Sequence, residues 1–435
     1  MDPQICRTLG LLAPAILTLS AWWPVRLQPR LTGAALAATL WNLPALLLLH
    51  HLNSHASWWS YSIEGGTLHG FPSDLWLGWA LLWGALPILA LPKAPLWLAI
   101  LLPILADLIG MPLLQPVVSL HTHWWLGEIT GVLIALVPGI LLGRWIAANH
   151  HLAARTSLLV LGFATLNLWV IPSIILDQTG SSWAPALARP WWFHASVLPL
   201  VLLAAIPGLA AVTEFASRGD GTPLPFDPPR RLVMSGPYAF CSHPMQLSTA
   251  AVFLLWGWWS ASPWVAAASL AALSTGSGIA GWSEFQALQL RFGTTYLDWH
   301  KAVPRWLPSS SPRIAWPATL YLASSCQLCR QLASWFLRRH PVSLTIASAE
   351  SFPGTPLTRM RYEAPGISAS GIEALAAALN HLHLSWAWIG WTIRLPLILP
   401  SLQALTDLSG GGPRHLTAPQ PPHHDNDPPP DAPRG

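Results

Sequence analysis

The chain contains 435 residues, of which 52% are hydrophobic and only 9% charged, and its mean hydropathy is +0.43. Soluble domains carry about 25% charged residues, so this composition excludes an ordinary soluble protein and indicates a mainly α-helical protein that crosses a membrane many times. The formal net charge of +4 requires no nucleic-acid partner, because Lys and Arg residues in short loops between apolar segments account for it.

About nine apolar segments approach the roughly 20 residues that a spanning helix needs. The 28 tryptophans suit the aromatic belts that form where such helices meet water. The last two segments are separated only by Ser262-Pro263, which predicts a tight helical hairpin. The predicted spans are 8–25, 33–51, 73–91, 95–118, 125–147, 157–176, 191–213, 246–261 and 264–283.

Basic residues collect in the loops that follow odd-numbered segments, whereas loops after even-numbered segments carry almost none. The positive-inside rule then places the N-terminus outside and residues 284–435 in the cytoplasm. We therefore expect an integral, multi-pass protein of a bacterial cell membrane. The basic residues are Arg26, Arg30, Lys93, Arg144, Arg155, Arg218, Arg230 and Arg231.

Residues 1–190 form a multi-span region in which no family pattern stands out. Asp107 lies inside a predicted span, and an ionisable residue at membrane depth is a candidate for a substrate or proton role. His121, His123 and Glu128 have the residue types of a metal site, but histidine is common at aqueous boundaries, so we favour a packing role and predict no metal. The other polar residues near the predicted outer face are His50, His51, His55, Glu64, His69 and Asp74.

Residues 191–308 contain the most informative motifs. A Gly/Pro-rich loop beginning GTPLP leads to SGPYAFCSHPM, then to an apolar hairpin, and then to EFQALQLRFGTTYLDWHKAVPRWLP. Methyl transfer from a sulfonium is an in-line displacement that depends chiefly on positioning the two reactants. A polar loop at the mouth of membrane helices suits a reaction between a water-soluble cofactor and a lipid-soluble acceptor.

This order of motifs resembles the isoprenylcysteine carboxyl methyltransferase and phospholipid methyltransferase superfamily, integral membrane enzymes that use S-adenosylmethionine. The resemblance covers about a quarter of the chain. It implies an acceptor that is a lipid or a prenylated small molecule bearing a carboxylate or an amine. It also implies that the cofactor is held by five residues, which are Gly236, Tyr238, His243, Pro244 and Glu284.

Four positions depart from the family pattern. Ser242 stands where the family has Arg, which removes a planar cation suited to a carboxylate and leaves the acceptor and the activity open. The pattern also leaves structural alternatives: a simple turn at Gly236, an interfacial histidine at His243, and a solvated helix-end residue at Glu284. The other three departures are Gln246, Phe285 and Trp299.

Residues 317–408 change character and predict a small α/β domain. A strand at 318–322 precedes Cys326-Gln327-Leu328-Cys329, a helical pattern at 330–339 and a second strand at 342–347. A Cys-x-x-Cys at a strand-to-helix junction is the thioredoxin-like arrangement, in which the helix N-terminus favours the thiolate of the leading cysteine and the second cysteine resolves a mixed disulfide.

The segments SGIEALAAALNHL and WIGWTIRLPLILPSLQAL that follow resemble the C-terminal half of the DCC family of thiol-disulfide oxidoreductase-like proteins. That family has Asp-Gly before its cysteines, where this chain has Ala323-Ser324. The resemblance implies that Cys326 and Cys329 are catalytic and act with a thiol-redox partner. A four-cysteine zinc site is disfavoured because Cys6 and Cys241 lie far apart in the sequence, while two structural free cysteines remain an alternative.

Residues 386–405 are apolar but contain prolines and Arg394, which predicts helices on the small domain rather than a tenth span. Residues 409–435 are rich in Pro and Gly, which predicts a disordered tail. The leading interpretation is a membrane-embedded, S-adenosylmethionine-dependent methyltransferase with a fused cytoplasmic thioredoxin-like domain. The alternatives are a membrane-anchored thiol–disulfide oxidoreductase using Cys326 and Cys329, and a non-catalytic lipid-binding protein.

Overall fold

The computed structural model describes residues 2–63, 65–224, 226–277 and 279–413, without the side chains of 275–277 and 279–284. The chain divides into two compact units. The first comprises Met1–Val233 and His243–Leu297, and the second comprises Met234–Ser242 and Asp298–Gly435. The second unit thus includes the GPY turn, which the sequence groups with the methyltransferase-like region.

The first unit is helical, and the described residues contain seven helices long and apolar enough to cross a membrane. They coincide with the first seven predicted spans, and their ends differ from the predicted ends by at most several residues. The molecule is therefore a mainly helical membrane protein. The seven helices are α1 (Pro3–Val25), α2 (Pro29–Ala56), α3 (Ser73–Ala90), α4 (Leu96–Leu113), α5 (Trp124–Ala148), α6 (Leu152–Gln178) and α7 (Trp191–Ser217).

Three of these helices widen locally into π-helical turns. Each wide segment lies just before a proline, which lacks the backbone N–H and whose ring clashes with the carbonyl group four residues earlier. The wider turn accommodates that clash without ending the helix. The segments are Leu81–Ala85 before Pro87, Val132–Leu136 before Pro138, and Leu166–Val170 before Pro172.

Tryptophans of neighbouring helices satisfy two of the carbonyl groups that these prolines leave unpaired. Trp41 Nε1 of α2 donates to the Ile134 carbonyl at 3.0 Å. Trp256 Nε1 donates to the Leu168 carbonyl at 2.8 Å. Because a membrane interior supplies no water to such groups, these bonds allow proline inside a spanning helix. Part of the unusual tryptophan content therefore serves packing between helices as well as the lipid boundary.

Four short strands organise one end of the first unit. β1 (Trp59–Tyr61) follows α2 and pairs antiparallel with β4 (Val118–Leu120), which follows α4. Between them, β2 (Thr67–Leu68) and β3 (Phe71–Pro72) form a hairpin. The pairing brings together at this end many of the histidines that the sequence places near one face.

The opposite end of α2 carries a buried charge cluster. Arg30 Nη2 donates to Asp227 Oδ1 at 2.8 Å, and Arg155 Nη2 lies 3.3 Å from Asp227 Oδ2. Asn149 Oδ1 accepts from both guanidinium groups. Arg155 is fully buried. The loops after the first, fifth and seventh spans therefore meet at the same end of the helices, and Thr222 of the GTPLP loop joins them through a hydrogen bond to Asp227.

The predicted eighth and ninth spans are α8 (Pro244–Ser260) and α9 (Pro263–Ser277). They form a hairpin that turns at Ala261, whose φ is 55°. Gly257 permits the close approach, since a Cβ there would lie 2.4 Å from the Ala266 backbone nitrogen. With 17 and 15 residues these helices are shorter than the other seven, and the count of nine spans stays a prediction. α10 (Ile279–Ala302) follows and is broken at Gly293, where φ is 57°.

The second unit contains a four-stranded sheet of order β6-β5-β7-β8. β5 and β6 are parallel and are connected by α11, whereas β7 runs antiparallel to both β5 and β8. Phe336 of α11 and Leu320 of β5 are fully buried in its core. The elements are β5 (Ala318–Leu322), α11 (Gln327–Leu337), β6 (Leu344–Ser348), β7 (Arg361–Ala364), β8 (Ile367–Ser370), α12 (Ile372–Leu379), α13 (Leu384–Ile393) and α14 (Ile398–Thr406).

α13 and α14, with 10 and 9 residues, are too short to cross a bilayer, so residues 386–405 form helices of the small unit as the sequence predicts. The predicted disordered tail needs a small correction. Asp407–Gly411 form a further helical turn, because Arg359 binds both carboxylate oxygens of Asp407, at 2.5 and 2.9 Å. Residues 414–435 lie outside the described part of the chain.

Candidate functional site

The two cysteines of the Cys-x-x-Cys motif lie at the start of α11. β5 ends at Leu322, three residues form a loop, and Cys326 occupies the N-cap position with extended backbone angles. The backbone N–H of Cys329 donates to Cys326 Sγ at 3.3 Å. Both cysteines are free thiols and half-buried. Cys326 thus takes the place of a serine or aspartate cap, and the helix N-terminus stabilises negative charge on its sulfur.

The two sulfurs have different environments. Burial raises the pKa of Cys329 to about 11, and a hydrogen bond with Cys326 and repulsion from its charge act in the same direction. Cys329 therefore remains protonated near neutral pH. Cys326, which accepts a backbone hydrogen bond, is the sulfur placed to act as the nucleophile. This is the division of labour that the spacing predicts.

A carboxylate from the neighbouring strand fixes the loop before Cys326. Glu350 follows β6, and its two oxygens accept from the Ser324 N–H at 2.9 and 3.1 Å. The Ser325 N–H also donates to it, at 3.3 Å, and the Ser348 hydroxyl donates a further hydrogen bond. Burial raises the pKa of Glu350, but the hydrogen bonds from Ser348 and the Ser324 backbone outweigh burial and lower it to about 2. Glu350 is consequently ionised at neutral pH.

The sequence interpretation missed Glu350. β5 and β6 are parallel neighbours, and the carboxyl ends of parallel strands meet at the same edge of a sheet. A single acidic residue just after the second strand could therefore have been assigned to the cysteine loop. Arg330 completes the loop from the other side, since its Nη1 donates to the Ser324 carbonyl at 2.8 Å.

A buried histidine holds another part of the second unit. His381 Nδ1 lies 2.6 Å from the Val342 carbonyl, and its Nε2 lies 2.8 Å from the Tyr362 hydroxyl. Burial lowers the pKa of His381 to about 4, so the ring is neutral at physiological pH. The side chain joins the residues before β6 to β7 and has a structural role.

Two of the residues expected to hold S-adenosylmethionine lie in the second unit. Gly236 begins a short 3₁₀ turn with φ of 60°, a conformation that favours glycine. Tyr238 is buried, and its carbonyl accepts from Trp299 Nε1 at 3.1 Å. Trp299 is one of the departures from the family pattern, and the hydrogen bond that its indole N–H donates to Tyr238 is a structural reason for tryptophan at this position.

Ser242, which stands where the family has Arg, also makes a structural contact. Its backbone N–H donates to the Pro304 carbonyl at 2.9 Å, and its hydroxyl lies 3.3 Å from the same oxygen. Cys241 Sγ lies 3.3 Å from the Arg305 carbonyl. The residues just after the GPY turn therefore contact the closing VPRWLP segment within the second unit.

The remaining cofactor candidates lie elsewhere. His243 caps α8 and Pro244 occupies its first turn, and both belong to the first unit. The side chain of Glu284 lies outside the described residues. At the histidine-rich end, His121 contacts the Ser57 carbonyl at 2.9 Å and Ser60 Oγ at 3.1 Å. Within the described residues, no three His, Cys, Asp or Glu side chains lie together as metal ligands.

Comparisons with protein-family models, with curated proteins and with solved structures give no match. The assignment of function therefore depends on the geometry of the chain's own side chains. The cysteine pair has its chemistry-bearing atoms within one unit and in direct contact through a backbone hydrogen bond.

Proposed function

We propose that the protein is a membrane-anchored thiol–disulfide oxidoreductase that works through Cys326 and Cys329. The observation that carries this proposal is the asymmetric pair at the start of α11. One sulfur caps the helix and accepts a backbone hydrogen bond, while the pKa of the other is raised to about 11. Structural cysteines need neither the capping position nor this difference.

The topology of the second unit supports a thioredoxin-like domain. A parallel β5-α11-β6 unit is followed by the antiparallel pair β7-β8 and by α12, in the sheet order β6-β5-β7-β8. The cysteines follow the central strand β5, at the edge where parallel strands commonly present their functional groups. The resemblance of residues 370–405 to DCC-type proteins points to the same class of chemistry.

The thiol exchange follows from this geometry. The Cys326 thiolate attacks one sulfur of a substrate disulfide, forming a mixed disulfide and releasing a substrate thiolate. Cys329 then attacks Cys326 Sγ, and its proton goes to the second departing substrate thiolate. The substrate thiolate released first takes up a proton from water, so the products are a Cys326–Cys329 disulfide and a substrate dithiol, and two electrons pass to the substrate. A dithiol partner must return two electrons to the protein for the next cycle.

Capture of the substrate also activates Cys329. Two of the contributions that raise its pKa come from Cys326, as a hydrogen bond and as charge repulsion. Both change once Cys326 is bonded to the substrate sulfur, whereas burial persists. Cys329 is therefore kept protonated while the site is empty and becomes easier to ionise in the mixed disulfide. Glu350 acts as a positioning residue, because it holds the N–H groups of Ser324 and Ser325 rather than a reacting atom.

The membrane part then serves to anchor the redox unit. We propose nine spans, with the α8–α9 hairpin supplying the last two, in a bacterial cell membrane. The basic cluster around Asp227 supports an orientation in which that end of the helices is cytoplasmic and the N-terminus is outside. A cytoplasmic second unit would meet a reducing environment, which suits a dithiol that reduces its substrates.

Reduction of insulin disulfides by the detergent-purified full chain, with dithiothreitol as reductant, tests the proposal. Wild-type protein should accelerate reduction, and Cys326→Ser should abolish the acceleration. Cys329→Ser should instead accumulate a mixed disulfide between Cys326 and insulin. Cys6→Ala is the matched control, because Cys6 is fully buried in the first unit. Equal rates for wild type and Cys326→Ser would refute the function.

The second candidate is the methyltransferase that the motifs of residues 191–308 resemble. The contact of Ser242, which lies just after the GPY turn, with Pro304 of the VPRWLP segment favours it, since it brings the residues around two of the motifs together. S-adenosylmethionine would be held by residues that include His243 and Glu284, and the acceptor would be a lipid or prenylated molecule. Calorimetry should show binding that His243→Ala and Glu284→Gln abolish. No binding to wild type would exclude this candidate, and failure of both tests would leave a non-catalytic lipid-binding protein.

A further inference from the structure

A cavity in the first unit contains two buried carboxyl groups. It has a volume of about 40 Å³, which holds about three or four water molecules at roughly 10–15 Å³ each. Asp107 of α4 and Glu128 of α5 both line it, and their exposed fractions are 2% and 9%. They come from different helices, so the fold, rather than local sequence, creates the pair.

The two carboxyl groups line the same small, buried space, where two negative charges would repel each other with little water to screen them. A carboxylate offers only acceptors, so the two groups can share a hydrogen bond only when one of them carries a proton. Trp79 Nε1 donates to Asp107 Oδ1 at 2.6 Å, which stabilises negative charge on Asp107. Among the described residues, no Lys or Arg lines the cavity to balance a second negative charge. The pair therefore requires one bound positive charge to offset one of its two negative charges.

Three further polar atoms around the cavity lack partners. Glu128 Oε1, His50 Nδ1 and Trp83 Nε1 are all buried, and no described group forms a hydrogen bond with them. All three residues line the same cavity. Burying a polar group without a hydrogen bond is unfavourable, so three such groups around one small space indicate polar contents. Water that donates to Glu128 Oε1 and His50 Nδ1 and accepts from Trp83 Nε1 satisfies this set.

The donor set favours a proton over a metal ion. A metal cation needs several oxygen or nitrogen ligands, but no group of three His, Cys, Asp or Glu side chains converges within the described residues. The indole N–H groups of Trp79 and Trp83 point positive hydrogen at this region, which disfavours a bare cation. The small volume excludes a larger organic cation. A proton shared by two carboxyl groups and bonded to water requires only those two groups and a space large enough for water, which the cavity provides.

His50 supplies a path between the cavity and the aqueous end of the helices. Its Nε2 lies 2.9 Å from the His69 carbonyl, so that nitrogen carries the hydrogen and donates. Nδ1 then keeps a lone pair and lies buried against the cavity. A histidine with one nitrogen toward the cavity and the other toward a surface loop can accept a proton on one side and release one on the other.

The groups that face the pair on the neighbouring elements are few. α2 contributes His50, β1 contributes Tyr61, and α3 contributes the uncharged Trp79 and Trp83. Burial raises the pKa of Tyr61, so its hydroxyl stays neutral, and it accepts from Trp59 Nε1 at 2.9 Å. Among the described residues that line this cavity, the carboxyl pair and His50 are therefore the groups that can exchange a proton near neutral pH.

We propose that Asp107 and Glu128 form a proton-binding site in the membrane part, which exchanges its proton through cavity water and His50. Dicarboxyl and histidine chains of this kind mark proton pathways in membrane proteins. The site lies in the first unit, whereas the cysteine pair lies far away in sequence, in the second unit. It gives residues 1–190 a function of their own, whichever reaction the rest of the chain performs.

Infrared difference spectroscopy of the detergent-purified full chain tests this site. At neutral pH the wild type should show the C=O band of a protonated carboxyl group, which shifts in D₂O. Asp107→Asn and Glu128→Gln should each remove the shared band. Glu214→Gln is the matched control and should leave it unchanged, because Glu214 is equally buried in α7 but forms an ion pair with Arg218 at 3.0 Å.

The exchange path has its own readout. His50→Gln should keep the band but slow its shift in D₂O by at least about tenfold. His55→Gln, an exposed position on the same helix end, should not change the rate. Absence of a protonated carboxyl band in the wild type would overturn the proposal without any variant. A rise in melting temperature in Na⁺ over K⁺ at fixed pH that Glu128→Gln abolishes would also overturn it, in favour of a metal-cation site.

Discussion

The difference between the two thiols predicts their order of alkylation. At pH 8 a thiol with a pKa of about 11, as for Cys329, is roughly 0.1% thiolate. An ordinary thiol with a pKa of about 8.5 is roughly one quarter thiolate at the same pH. The ratio of thiolate fractions is therefore roughly 200-fold. The more basic thiolate is intrinsically the better nucleophile by about tenfold, which leaves a net preference of about 20-fold for the ordinary thiol.

Iodoacetamide labelling followed by peptide mass spectrometry measures this preference. In the native protein Cys326, whose sulfur accepts a backbone hydrogen bond, should label several times faster than Cys329. Cys6 and Cys241 should stay unlabelled because their exposed fractions are 0% and 2%. Labelling in denaturant is the control, and there all four cysteines should react at similar rates.

The variant Cys326→Ser separates the causes of the shift. It removes the hydrogen bond and the charge of Cys326 but leaves the burial of Cys329, so the pKa of Cys329 should fall only in part. Each unit of that fall should speed labelling of Cys329 at pH 8 by about threefold, because the thiolate fraction rises tenfold while nucleophilicity drops. Equal labelling of both cysteines in the wild type, or an unchanged Cys329 rate in the variant, would refute the reasoning.

Three further predictions concern the groups around the site and the helix ends. Glu350→Gln should lower the stability of the second unit by about 1–2 kcal/mol and change the labelling rate of Cys326. The reason is that an amide cannot replace a charged acceptor for two backbone N–H groups. An unchanged melting temperature together with an unchanged labelling rate would contradict the positioning role. The pKa of His381 is about 4 when folded and 6.5 when unfolded, so protonation favours the unfolded state and stability should fall by about 3 kcal/mol as pH drops through that window. Denaturant titrations should show that loss in wild type and not in His381→Gln. The pKa of Glu350 is 4.5 when unfolded and about 2 when folded, so the contribution of Glu350 changes in a lower pH range than that of His381. Asp227→Asn should destabilise the first unit by about 3–5 kcal/mol because it leaves Arg155 buried without its counter-charge. The control Asp220→Asn, in an exposed ion pair, should cost less than about 1 kcal/mol. Similar shifts in melting temperature for both variants would contradict a stabilising role for the cluster around Asp227.

The spans were predictable because hydrophobic length alone decides whether a helix can cross a bilayer. Nearly every segment boundary follows from the change between apolar and polar residues. The π-helical turns each precede a proline, but Pro14, Pro44 and Pro103 lie inside helices without such a turn, so the sequence does not say which proline produces one. The indole donors that satisfy Ile134 and Leu168 could not, because they come from other helices and depend on how those helices pack.

The same distinction separates the two sites. Cys326 and Cys329 are close in sequence, so their spacing and the following helical pattern predict the capping geometry. Glu350 reaches the same loop only through the parallel pairing of β5 with β6. Asp107 was a candidate from its position in an apolar segment, and Glu128 was one through its nearness in sequence to His121 and His123, but the two lie on successive helices. Side chains that meet through tertiary packing leave no local pattern, so reading a single chain names both members and misses the pair.

A redox titration of the full chain tests the central proposal most directly. Purified protein would be equilibrated with glutathione buffers of increasing oxidised fraction, its free thiols alkylated, and the Cys326–Cys329 disulfide quantified by mass. The account predicts one reversible two-electron transition that forms a disulfide within a single protein molecule. This transition should be absent from Cys326→Ser and from Cys329→Ser, and it should be unchanged in Cys6→Ala. Thiols that stay reduced in every buffer, or that form only bonds between molecules, would contradict it.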